Sequence, residues 1–68
     1  MNKFAERLKE LRIEKGLSQA QLAKATGISV RAIGMWEGKQ RTPNIEAIIL
    51  LAKFFEVTSD YLIGMSDY

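Results

Sequence analysis

The residues with usable chemistry gather between Gln19 and Arg41. Val30, Arg31, Gly34 and Met35 repeat at one, three and four positions, the spacing of neighbours on one helical face. An arginine near the start of a helix lying in a groove can bind guanine O6 and N7 in bidentate fashion, and Val30 and Met35 can each meet a thymine methyl. Lys24, Ser29, Lys39, Gln40 and Arg41 flank that face with cations and small polar groups. Such groups meet phosphate oxygens, which fix position without reporting sequence. Covalent chemistry has few carriers. The chain has no cysteine or histidine, so the common zinc ligand sets and the usual general base are missing. Its carboxylates are scattered, and no Gly-rich phosphate loop of the P-loop or dinucleotide type is written in it. No catalytic residue, metal or cofactor is expected.

These residues need short helices to hold them. Asn2 is a reasonable N-cap for a first helix from about Lys3 to Lys15, with Phe4, Leu8 and Leu11 as its apolar stripe, Ala5 beside it and Gly16 past its end. Ser18-Gln19-Ala20-Gln21 has the form of a capping box, with Leu17 and Leu22 placed to staple it. Gly27 closes this second helix after two turns, because a residue without Cβ reaches positive φ most cheaply. Ser29 caps a third helix from Val30 to about Glu37. Its core side is Ile33 and Trp36, and Ile28 and Ile33 repeat the staple spacing. Gly34, inside the helix, costs ~1 kcal/mol relative to alanine. Either a close surface requires a missing side chain there, or the glycine is tolerated drift.

The loop GKQRTP follows, and Pro43 biases Thr42 toward extended backbone. A fourth helix, capped by Thr42 or Asn44, runs to about Phe55. It is apolar nearly all round, so it is either central to the core or partly covered by a second subunit. Thr58 caps a fifth, with Asp60 in its first turn and Gly64 at its end; Met65 to Tyr68 reads as a frayed tail or a cut boundary. No period-two alternation or hairpin turn suggests a strand. The expectation is an all-α chain of five short helices, one domain over residues 1–68, with a helix-turn-helix at about 19–38.

Sixty-eight residues bury only roughly 60% of the unfolded surface, so the core must be economical. Charged residues near the N-terminus argue against a signal peptide. The longest apolar run, Ala47 to Ala52, falls well short of the ~20 residues of a membrane span. A cytoplasmic protein is therefore the default. Net charge is +2, but residues 1–43 hold nine Lys/Arg against four Glu (+5), and residues 44–68 hold Lys53 against four acids (−3). A basic N-terminal part suggests one side facing a polyanion.

With these motifs in view, the chain resembles the Xre-like repressors, the class that includes Cro and the lambda-type phage repressors. The resemblance rests on LKELRIEKGLSQAQLA (Leu8 to Ala23), TGIS (Thr26 to Ser29), Ile33 with Trp36-Glu37, the Arg41 and Pro43 loop, and VTSDYLIG (Val57 to Gly64). It implies a compact five-helix, lambda-repressor-like domain that binds double-stranded operator DNA, usually as a homodimer on inverted half-sites, with no membrane or small-molecule partner. It also implies that Gln19 meets a phosphate and supports the recognition helix. Ser29, Val30, Arg31 and Met35 face DNA; Lys39, Gln40 and Arg41 grip backbone; Arg12 pairs with Glu37. Two positions depart from the family pattern. Lys39 fills the site of a usual glycine two places after Glu37, while Gly38 comes one place early, and Glu56 stands where glycine is common. The competing reading is a helical interaction module or antitoxin component that docks a partner through helices four and five.

Overall fold

The computed structural model describes residues 3–67. Among them the chain forms α1 (Phe4–Glu14), α2 (Gln19–Thr26), α3 (Val30–Glu37), α4 (Ile45–Phe55) and α5 (Ser59–Ile63), with no strand. The all-α reading and the order of five helices hold. One core forms where the helices meet. Leu8 of α1, Leu22 of α2, Ile33 of α3, Leu51 of α4 and Leu62 of α5 are each fully enclosed, so every helix gives one residue to the same centre. Helices this short do not persist alone in water, and the shared centre is what holds them.

Four starts are fixed by side-chain caps. Ser18 and Gln21 form the reciprocal capping box, at 3.0 and 2.8 Å. Ser29 accepts from the Ala32 N–H, Asn44 from Ala47 and Thr58 from Tyr61. Asn44 therefore decides the open choice at α4. The first helix differs: Lys3 holds its N-cap position without a side-chain cap bond, and Asn2 lies outside the described residues.

The ends show why two unexpected residues are strained. At α1, α3, α4 and α5 the same pair of bonds closes the last turn, one spanning three residues and one spanning five. At α3 these run from Lys39 N–H to Trp36 C=O and from Gln40 N–H to Met35 C=O. At α4 they run from Glu56 N–H to Lys53 C=O and from Val57 N–H to Ala52 C=O. The pattern places its penultimate residue in the left-handed region whatever its side chain. Glycine fills that place at 16 and 64, but here Lys39 (φ 61°) and Glu56 (φ 58°) fill it. Gly38, at φ −83°, does not take the left-handed place; its N–H donates to the Gly34 carbonyl at 2.9 Å.

Of the segment read as a frayed tail or a cut boundary, residues 65–67 are described and Ser66 and Asp67 meet α1; Tyr68 lies outside the described residues. Arg7, buried on α1, donates to the Tyr61 carbonyl and, at 2.6 Å, to the Ser66 carbonyl. Its guanidinium lies 4.2 Å from the Tyr61 ring centre and 3.8 Å from the Asp67 carboxylate. A buried cation needs such oxygen partners. The carboxyl end of the fold is thus tied to the first helix.

Candidate nucleic-acid interface

Helix α3 is held by its inner side. Trp36 packs edge-on to Phe4 of α1, ring centres 6.0 Å apart, and Ile33 is fully enclosed. Its last residue is pinned as well. Arg12 Nε and Nη2 donate to the two Glu37 oxygens at 2.7 and 2.9 Å, Gln19 Nε2 donates to Glu37 Oε1 at 3.1 Å, and Arg12 Nη1 reaches the Leu17 carbonyl at 2.8 Å. One carboxylate therefore joins α1, α2 and α3. Burial pushes the Glu37 carboxyl up, but the hydrogen bonds from Arg12 and Gln19, with the charges of Arg12 and Lys9, outweigh it and leave it below the ordinary glutamate value. The Glu37 hydrogen bond likewise raises Arg12 above its usual value. An ion pair thus ties α1 to α3 in addition to apolar packing, and the Gln19 amide ties α2 to the same carboxylate.

The outer side of α3 is open. Val30 is 49% exposed and Arg31 is exposed, while Met35 and Gly34 are half-buried. Between α3 and the following loop runs a groove of about 460 Å³ lined by Ser29, Arg31, Ala32, Met35, Trp36, Arg41, Thr42 and Asn44. Two guanidinium side chains thus border one cleft at the capped start of a helix. The helix ends reinforce this polarity. Glu6, Glu46 and Asp60 occupy the first turns of α1, α4 and α5, but the first turns of α2 and α3 hold no acid. Their positive dipole ends have no acid of their own first turn beside them.

The site residues read from sequence fall into three places. Ser29, Arg31, Met35 and Arg41 share the groove. Val30, Lys24, Lys39 and Gln40 are exposed outside its lining, and Lys39 Nζ lies 3.8 Å from Glu6. Gln19 and Gly34 sit together, since a Cβ added at Gly34 would stand 3.5 Å from Gln19 Oε1. The space beside Gly34 is thus bordered by the glutamine that holds Glu37. Two polar groups in the groove, Thr42 and Asn44, were not among the expected contacts. The sequence signal for Thr42 is Pro43, which keeps it extended beside Arg41.

Comparison with known proteins agrees with this architecture. A family model described as helix-turn-helix matches residues 8–62. The chain is 43% identical over 61 residues to the HTH-type transcriptional activator BcrR of Enterococcus faecalis, covering 90% of this chain and 30% of that protein. It is 31% identical over 64 residues to the uncharacterized HTH-type transcriptional regulator YobD of Bacillus subtilis (strain 168), covering 94% and 57%. It is 36% identical over 60 residues to the repressor protein C2 of Salmonella phage P22, covering 88% and 28%. The chain therefore spans well under two thirds of each of these relatives. No solved structure matches it. The chain belongs to the helix-turn-helix family, and its likeness to a phage repressor bears out the Xre-like resemblance. Among the described residues, no helix is long and apolar enough to cross a membrane.

Proposed function

We propose that this chain is a sequence-specific, double-stranded DNA-binding transcriptional regulator that lays α3 in the major groove. The carrying observation is the groove beside the Ser29-capped start of α3, bordered by Arg31 and Arg41, at a helix end whose first turn holds no acid. Arg31 reads a guanine edge, and Val30 and Met35 meet thymine methyls. Gly34 lets the backbone come close. Lys24, Ser29, Lys39, Gln40 and Arg41 hold phosphates. Gln19 gives one side-chain N–H to Glu37, so its phosphate contact draws on its second side-chain N–H and on the main-chain N–H groups at the start of α2, which precede the first intrahelical bond.

The domain acts in the cytoplasm as a homodimer on a palindromic operator and has no catalytic role. Relatives named activator and repressor share this segment, so the sign of regulation is not written in it. Occupying a promoter blocks it by exclusion, and repression is the outcome proposed for this protein.

Selection of bound sequences from random duplex DNA tests the reading. A palindromic motif is expected, and no enriched motif would sink the proposal. Arg31→Ala should relax preference at one base position, by ~1–3 kcal/mol of discrimination, while Lys39→Ala weakens all sequences alike and lowers the salt slope by about one.

A further inference from the structure

Helix α4 keeps Ile48, Leu51, Ala52 and Phe55 inside but turns Ile45, Ile49 and Leu50 outward, at 70%, 44% and 40% exposure. Glu46 and Lys53 share that outer side and are exposed. They stand seven residues apart, which returns to nearly the same line of the helix about 10.5 Å further on. Ile49 and Leu50 lie midway between them. The outer face therefore reads acid, apolar pair, base along its length.

We infer that this face is the contact between two copies of the chain, with their α4 helices antiparallel about a twofold axis at the level of Ile49 and Leu50. The inference rests on the proposed operator reading for its second copy, and it adds the surface and the register. A twofold contact must be self-complementary, because one patch meets its own image. Antiparallel α4 helices meet that condition. Glu46 of each copy comes level with Lys53 of the other, on both flanks, and the Ile49 and Leu50 side chains close on their equivalents at the centre. Parallel helices would oppose Glu46 to Glu46 and Lys53 to Lys53. A membrane surface would leave Glu46 facing lipid, and an unrelated protein gives no reason for this reciprocal order. The face also adjoins the candidate DNA edge, since Asn44, the cap of α4, lines the groove beside Arg31. One axis through α4 would carry two copies of α3 into a single assembly.

The test is sedimentation equilibrium of the whole chain without DNA. Wild type should self-associate. Glu46→Lys and Lys53→Glu should each weaken association about tenfold, because two pairs per dimer change from attraction to repulsion. The double variant E46K/K53E should recover it, as should an equimolar mixture of the two single variants. The chain has no cysteine, so Ile49→Cys gives a second readout: it should cross-link to itself under mild oxidation, and Glu46→Cys should not. A monomeric wild type, or a double variant no better than the single ones, would overturn the inference. Failure of DNA selection would strike the operator reading instead, since no step of this test involves DNA. Retained circular dichroism shows that each variant is folded.

Discussion

Replacing Glu37 by alanine removes a carboxylate from a place where 5% of its side chain and 11% of that of Arg12 meet solvent. Three hydrogen bonds go with it, two from Arg12 and one from Gln19, and among the described residues Arg12 keeps the Leu17 carbonyl as its oxygen partner. Breaking a buried ion pair from one side costs about 3–5 kcal/mol, because the other charge is left without compensation. At roughly 0.05–0.15 kcal/mol per residue, the whole domain has about 3–10 kcal/mol of stability. Glu37→Ala is therefore expected to remove a third or more of it, and a loss of ~3 kcal/mol lowers Tm by about 12–24 °C in a domain of this size. Trp36, the single tryptophan and buried beside the pair, reports unfolding in urea by its fluorescence. The double variant Arg12→Leu with Glu37→Leu should recover most of the loss, since no buried charge remains unpaired. A cost of Glu37→Ala below ~1 kcal/mol, the range of an exposed surface pair, would refute the reasoning. So would a double variant no more stable than the single one.

Further outcomes follow from the same geometry. Glu37 has a depressed folded value, so its contribution is intact above the ordinary glutamate value of about 4.3 and is lost as pH falls through the folded one. Calorimetry from neutrality into acid should show wild-type Tm falling more steeply than that of Glu37→Gln in that window. Relief of a left-handed non-glycine residue is worth about 1 kcal/mol, so Lys39→Gly and Glu56→Gly should both raise stability in urea. Only Lys39→Gly should also weaken DNA binding. Gly34→Ala should be accommodated inside the protein, because the added Cβ meets only ordinary contact with Gln19, and it should stabilise α3 by ~1 kcal/mol. If operator affinity is unchanged in gel-shift titration, close approach of DNA to Gly34 is excluded.

The caps were legible because each is a local pattern. Ser18 with Gln21, Ser29 and Thr58 each satisfy amides within three residues, and nothing distant competes with them. The core was legible where one apolar residue per turn repeats, as at Leu8, Leu22 and Ile33. The helix exits at Lys39 and Glu56 were visible only as departures. A residue's type states what it prefers, whereas the paired closing bonds state what the backbone requires. Arg7 was not legible at all. Its oxygen partners are main-chain carbonyls 54 and 59 positions away, and carbonyls leave no mark in a sequence. Of the groove's lining, Ser29, Arg31, Met35 and Arg41 were named from the sequence and Thr42 and Asn44 were not, nor was the sharing of one groove by Arg31 and Arg41 legible. That depends on the loop path after α3, which the Gln40 bond back to Met35 helps to set.

The Arg7 tie has a consequence for how the chain can vary. A clasp made between side chains can be lost by a substitution at either end. Here two of the attachment points are peptide oxygens, which every amino acid carries, so mutation at 61 or 66 leaves those two oxygens in place. The vulnerability is concentrated at position 7. Random mutagenesis scored for folding should therefore find Arg7 close to irreplaceable, since even lysine, with a single point charge, cannot reproduce the spread of a planar guanidinium.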